Sequence, residues 1–552
     1  MATTRLSAAS VRGSISDLTF QGKVLREAGI LEPMRPDKAL KIGTTFLRWG
    51  ASPATGVATA AIHHPHELAI VDERGALSWE RLHRRSNALA HSLARMGIGP
   101  RDGVGVMCRN HRGFIETTLA AAKLGASALY LNTMFAGPQL VEVTKREGPK
   151  ALVYDEEFTD LLSDVDPSVQ RILGWCDGEA SEPTLESLIE GGDESDHKPP
   201  PEKPKFVILT SGTTGTPKGA QRSSPEGLMP IAALIDKIPF RARMTMMIAA
   251  PLFHSWGFFH FVISLPTAST MVLRRRFDPE ETLRAVEQSR ADVLAAVPVM
   301  IQRILTLPEE TLRRYSLPTL KITSLSGSAL PGELAIEWMD RFGDNVYNLY
   351  GSTEVAYATV ATPEDLRAAP GTAGKAPRGT KIRLYDESGK EVPRGEVGRI
   401  FVGNEMAMEG YTGGGGKETI DGLYSSGDVG HIDSEGRLFI DGRDDEMIVS
   451  GGENVFPREV EDLLADHDAV EEVAVIGVED DEFGQRLKAF VVIRSGVEIT
   501  AQELTAHVKA NLAAYKSPRE VEFLDELPRN ATGKVLKRDL RDRQPSQSSN
   551  PS

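Results

Sequence analysis

Cysteine is nearly absent: Cys108 and Cys176 are the only two among 552 residues, and neither stands in a metal-ligand or redox spacing. That excludes a disulfide framework and leads us to expect a reducing, cytoplasmic setting. Positive charge is also scarce. Against 78 acidic residues stand 63 lysines and arginines, a net charge of −15. Phosphate backbones are bound by clustered basic groups, so a nucleic-acid partner is not expected. The one basic run, Arg274 to Arg276, reads as a solvated strand end. Long apolar runs are missing too. Met244 to Leu273 comes nearest, but Pro251, His254 and Pro266 leave no stretch of about 18 apolar residues. Buried strands and a helix of a large α/β core are expected there, not an integral membrane segment. The opening MATTRLSAASVRGS has no continuous apolar core of a signal peptide, so export is not expected. There is no internal repeat.

What is present is a chain too long for one core; at about 150 residues per unit it divides into three or four subdomains. β-like runs such as KALVYD alternate with helix-like runs such as ADVLAAVPVMIQRIL, which predicts α/β architecture. Glu190 to Lys205 is polar and proline-rich, an exposed connection into the strand FVILT. After residue 441 the texture changes. PREVEDLLADH reads as a helix with proline near its start, VEEVAVIGV and LKAFVVIRS read as strands, and a helix and a strand follow. The expected division is a large N-terminal α/β domain over 1–441, a hinge at 442–446, a small mobile α+β domain over 447–540 and a disordered tail over 541–552.

The most informative stretch is LTSGTTGTPKG, which follows the strand KFVILT directly. Glycines let several backbone N–H groups turn toward one point, hydroxyls add donors, and Lys218 adds positive charge, a combination suited to phosphate oxygens. It is not a Walker loop, because Lys218 lies between Pro217 and Gly219 where that motif needs a preceding glycine and a following serine or threonine. A mobile surface loop of the same composition is the competing reading.

Thr210 to Gly219 resembles the phosphate-loop signature of the adenylate-forming superfamily, which includes acyl-CoA synthetases. Further motifs follow in that family's order: YGSTE at Tyr350 to Glu354, YSSGD at Tyr424 to Asp428, GRDDEMIVSGGENVFPREVE at Gly442 to Glu461, and LPRNATGKVLKR at Leu527 to Arg538. The resemblance spans roughly residues 60 to 540. LREAGILEPMRPDK and its surroundings, within an extension over 1–55, resemble the N-terminal extension of bacterial fatty-acyl-CoA ligases.

The resemblance implies that ATP, magnesium and coenzyme A are used. It assigns Thr210, Ser211, Gly212, Thr213, Thr214, Gly215 and Lys218 to the phosphates, and Thr210 and Glu354 to the metal, a hard-oxygen pairing that suits magnesium. Thr353 would meet the α-phosphate, Tyr350 and Gly351 would flank the adenine, and Gly327, Ser328 and Ala329 would line adenine and acyl group. Asp428 would accept the ribose hydroxyls, supported by Arg443. Lys534 is implied as the catalytic lysine of adenylation, with Glu354, Thr353 and His254 beside it, and Asp445 as the hinge. Gly451, Gly452 and Phe483 would border the pantetheine arm; Tyr515, Lys516 and Arg519 would lie near the CoA nucleotide. Ser425 and Ser426 depart from the Arg-Thr pair common at that place, and Leu209 stands where tyrosine is common.

The implied reaction has two steps: a carboxylate attacks the α-phosphorus of ATP with release of pyrophosphate, and a thiol then attacks the acyl-adenylate. His254, Trp256, Phe258 and Phe259 would border the acid, or else serve as ordinary core. A medium- or long-chain fatty acid is the first expectation, and an aryl or bulky polycyclic acid the alternative. A separate carrier protein is the alternative acceptor. Small molecules are the expected partners; a homodimer is left open.

Overall fold

The structure, a computed structural model, describes residues 8–210, 218–222, 227–408, 410–412, 416–446, 448–450, 453–480, 484–512, 516–530 and 533–543. Side chains at 8–15, Thr210, Lys218, Gln221, Arg222, Asp445, Val449, Ser450, Glu453, Asn454 and Gly484 are outside that description.

Two mostly parallel sheets form the large domain. The eight-stranded one runs Thr359–Ala361, Val346–Tyr350, Ile322–Leu325, Val293–Ala296, Thr245–Ile248, Thr270–Leu273, Leu68–Asp72, Gly75–Ser78. Its inner strands are parallel and only the two edge pairs are antiparallel. Parallel strands are covered on both faces, which explains why Val293–Ala296 is buried throughout and reads as a continuous apolar run. The seven-stranded sheet holds Phe206–Thr210 between Ser127–Tyr130 and Lys218–Arg222. A five-stranded antiparallel sheet carries Leu423–Ile432 and Leu438–Arg443. Past the single turn Asp444–Glu446, the C-terminal domain follows the expected order. It has a helix at Pro457–Ala465, strands at Val470–Asp480 and Gly484–Ile493, a helix at Ala501–Asn511 and a strand at Glu520–Phe523.

The apolar segment from Met244 is two buried strands around the Ser255–Thr267 helix, as expected, and among the described residues no helix is long and apolar enough to cross a membrane. Two expectations are corrected. ADVLAAVPVMIQRIL is not one helix: Val293–Ala296 is a strand and the helix starts at Pro298, where a missing N–H costs nothing. Arg274 to Arg276 is not freely solvated. Arg275 lies 4.6 Å over the Trp175 ring and both Arg275 and Arg276 pair with Glu157. The 190–205 connection is exposed and leads into the Phe206–Thr210 strand, as expected, and is tied down where Glu194 and Asp196 meet Arg81 and His83 of the Trp79–Arg95 helix.

Helices α1 (Ala8–Glu27), α2 (Pro36–Trp49) and α3 (Pro53–His63) precede the first strand. α3 packs against the Ser255–Thr267 helix and α2 lies on α3.

Candidate active site

The strand Val346–Tyr350 ends in a turn that only glycine permits at its first position: a Cβ on Gly351 would stand 2.3 Å from the Ala356 carbonyl oxygen. The turn delivers Ser352, Thr353 and Glu354 to one cavity of about 1250 Å³. Thr353 Oγ1 lies 3.3 Å from Ser255 Oγ. Glu354 is held at its carbonyl, which accepts from the Met408 N–H at 2.7 Å, and at its Oε1, which accepts from the Tyr411 hydroxyl at 2.8 Å. Tyr411 itself sits on a two-residue strand paired with Ala220. It therefore ties Glu354 to the hairpin that carries the glycine-rich loop. Burial, together with the Glu354 carboxylate beside it, raises the phenol's pKa.

Tyr350 takes part in a second group. Its hydroxyl donates to Asp428 Oδ2 at 2.5 Å, and Arg443 Nη1 donates to Oδ1 at 3.2 Å. Asp428 and Arg443 are register partners on adjacent strands, so sheet pairing fixes their approach. Burial and the Asp428 charge push the Tyr350 hydroxyl well above its ordinary pKa. The serines that depart from the family pattern build the turn beneath it: Ser426 Oγ accepts the Asp428 N–H at 3.1 Å and donates to the Ile400 carbonyl at 3.1 Å.

Thr210 and Lys218 face each other as the last and first residues of paired strands. Ser211, Gly212, Thr213, Thr214 and Gly215 between them lie outside the described residues, as do Gly451, Gly452, Phe483 and Tyr515. Gly327, Ser328 and Ala329 line the cavity.

Lys534 reaches the same cavity from the C-terminal domain. It sits in a tight turn closed by bonds of Asn530 with the Gly533 and Lys534 backbone, each 2.9 Å. Gly533 has φ +77°, and a Cβ there would stand 2.2 Å from Val299 Cγ1. The lysine turn thus rests directly on the large domain. Lys516 is not brought to the cavity; it pairs with Glu459. Arg519 does not line it either.

His254 is the residue just before the Ser255–Thr267 helix, and its side chain makes no capping hydrogen bond there. Its Nε2 is sealed off without a hydrogen-bond partner, and burial holds the imidazole down at about 4. Trp256 is mainly core: its Nε1 donates to the Ala296 and Ser324 carbonyls, and only 7% of the residue is exposed. Phe258 lies between Tyr130 and Phe206 with one side on the cavity. Phe259 stacks on Trp256.

Sequence reasoning missed Tyr411, Ser255 and Val299, none of which carries a local signal. It also missed the part of α2 and α3 in the cavity wall. For magnesium, the Glu354 carboxylate and the Thr353 and Ser255 hydroxyls are hard-oxygen donors that line the same cavity, which fits that ion.

The AMP-binding enzyme family matches residues 57–412, and its C-terminal domain matches residues 459–534. A feruloyl-CoA synthase of Amycolatopsis sp is 33% identical over 492 residues, covering 87% of this chain and 96% of that protein. A fatty acid–[acyl-carrier-protein] ligase, ScoC, of Streptomyces coeruleorubidus is 30% identical over 510 residues, covering 89% and 96%. The ATP-bound crystal structure of MatB from Rhodopseudomonas palustris superposes with a TM-score of 0.78 at 29% identity, covering 88% of this chain and 98% of that one. With a family match over more than half its length, the chain belongs to the AMP-binding enzyme family and is an adenylate-forming enzyme.

Proposed function

We propose that the protein is an acid–CoA ligase that makes an acyl-adenylate from a carboxylic acid and ATP, releases pyrophosphate, and passes the acyl group to the thiol of coenzyme A. The observation that carries this reading is the convergence on one cavity of Glu354 with Thr353, the Tyr350–Asp428–Arg443 group and Lys534 from the other domain.

In the first step the acid's carboxylate oxygen attacks the α-phosphorus and the bond to pyrophosphate breaks. Charge then gathers on the non-bridging oxygens, where Lys534 and the Thr353 hydroxyl offer aimed donors. Thr210, Lys218 and the Ser211 to Gly215 segment hold the pyrophosphate side. Asp428 accepts from the ribose hydroxyls, and Tyr350 and Arg443 hold its carboxylate in place. Magnesium, when bound at Glu354 with Thr210, supplies charge neutralisation on the phosphates. His254, neutral and uncharged, borders the reacting carboxylate without repelling or trapping it. Rotation about Asp445 then withdraws Lys534 and brings Gly451, Gly452 and Phe483 to the pantetheine arm, with Lys516 and Arg519 toward the CoA nucleotide.

A medium- or long-chain fatty acid is the acid we favour, supported by an apolar slot that runs from His254 along the Ser255–Thr267 helix. An aryl acid is the second reading, favoured by what the Amycolatopsis relative is named for. The test is a panel of fatty and aryl acids with CoA or a carrier protein as acceptor. AMP, pyrophosphate and acyl-CoA are the expected products; ADP with orthophosphate would overturn the reading.

A further inference from the structure

The slot that leaves His254 has one wall on the Ser255–Thr267 helix, where Phe258, Phe259, Val262, Ile263 and Pro266 line it. Their spacing is that of a single helix face followed from the first turn to the last. At about 1.5 Å per residue, this helix carries the slot about 20 Å from its carboxylate end. The facing wall is α3, whose Gly56, Thr59, Ala60 and His63 repeat the same spacing, and Ile42 and Phe46 of α2 form the outer side. α3 comes this close because residue 56 is glycine: a Cβ there would stand 2.7 Å from Cβ of Leu265.

The far end is polar. At the helix's last turn the Arg243 N–H donates to the Thr267 carbonyl at 2.7 Å, and the Arg243 guanidinium reaches Glu32 at 3.4 Å. One ligand atom each from Glu32, His63 and His64 lie within 4.8 Å of one another. Both imidazoles line the cavity, and among the described residues their ring nitrogens have no hydrogen-bond partner. Two cations stand beside the cluster, Arg243 on Glu32 and Lys38 on the His63 carbonyl at 3.0 Å. They make it a poor cage for a metal ion. Burial, followed by Lys38 for His63 and by His63 for His64, lowers both imidazoles and keeps them neutral. Neutral imidazoles at the end of an apolar slot offer one N–H and one lone pair each.

Resting on the ligase reading above, we propose that the acid taken up is a long apolar one that carries a hydroxyl or ketone at its far end, held there by hydrogen bonds from His63 and His64. α2, which lies ahead of the family match, and α3, which runs into it, are then part of substrate selection.

The test compares palmitate with ω-hydroxypalmitate by pyrophosphate release. The wild-type enzyme should favour the hydroxy acid by about five- to tenfold in kcat/KM, the worth of one or two partly buried hydrogen bonds. The His63→Leu/His64→Leu variant should lose that preference, read as the ratio of the two acids' kcat/KM within one enzyme, and His63→Gln/His64→Gln should keep part of it. A wild-type preference for palmitate, an unchanged ratio in the leucine variant, or stoichiometric zinc retained by the wild type and lost by the variant would each overturn the proposal. Failure of every fatty and aryl acid to release pyrophosphate would strike the ligase reading itself.

Discussion

The Tyr411 hydroxyl donates a 2.8 Å hydrogen bond to Oε1 of Glu354 across 57 residues of sequence. A neutral donor on a charged acceptor orients the carboxylate without cancelling its charge. Tyr411→Phe should therefore weaken nucleotide use, raising the KM for magnesium-ATP about tenfold, the usual cost of a hydrogen bond to a charged group. The KM for the acid should barely move. Glu354→Gln, which removes the charge, should cost about 10²-fold in kcat. Steady-state kinetics with each substrate varied in turn decides it; a Tyr411→Phe effect confined to the acid would contradict the assignment.

Asp428 accepts from Tyr350 and Arg443 on its two oxygens. If it also accepts from the ribose, the wild-type enzyme should discriminate against 2′-deoxy-ATP, and Asp428→Ala should lose most of that discrimination while raising the KM for ATP by about tenfold or more. Equal discrimination in both proteins would place the ribose elsewhere.

Lys534 rides on a turn whose Gly533 touches Val299. Lys534→Ala should cut acyl-adenylate formation by about 10² to 10³, the loss seen for one aimed transition-state donor, yet leave thioester formation from supplied acyl-adenylate nearly intact. Gly533→Ala puts a methyl group where Val299 already lies, so it should also impair the first half-reaction selectively. Val299→Ala should restore part of the activity by opening that space, the strain of φ +77° remaining. Single-turnover assays of the two half-reactions check both; equal losses in each step would rule out a turn that acts only in adenylation.

His254 and His260 each have a buried Nε2 without a partner, and burial lowers both to about 4 from an ordinary 6.5. The unfolded chain takes up these protons near pH 6.5 while the folded protein resists them until about pH 4. Their contribution to stability is thus complete above 6.5 and falls with pH across that window, at about 1.4 kcal/mol per pH unit for each proton. His260→Met should flatten the fall of Tm between these pH values by one proton's worth. An unchanged slope would mean that His260 is protonated in the folded state.

Much of this protein was determined by local sequence. Pro149–Asp155 and Val470 to Val478 are strands, as their β-branched and aromatic runs lead one to expect, and the C-terminal order of helix, strand, strand, helix, strand follows from the same patterning. Pro298 shows the limit. A run of apolar residues does not reveal where a strand yields to a helix, and the proline's role as first helical residue becomes clear only once Val293–Ala296 is paired between neighbours. The motif residues Tyr350, Glu354, Asp428, Arg443 and Lys534 were legible because glycine, hydroxyl and charge recur in a known order. Tyr411 was not: a lone tyrosine in a glycine-rich stretch acquires a partner only when its short strand pairs with Ala220. Nor were His63 and His64 legible as cavity residues. Their place depends on the packing of α3 against the Ser255–Thr267 helix at Gly56 and Leu265, and a contact between helices so distant in sequence leaves no trace in either helix's own periodicity.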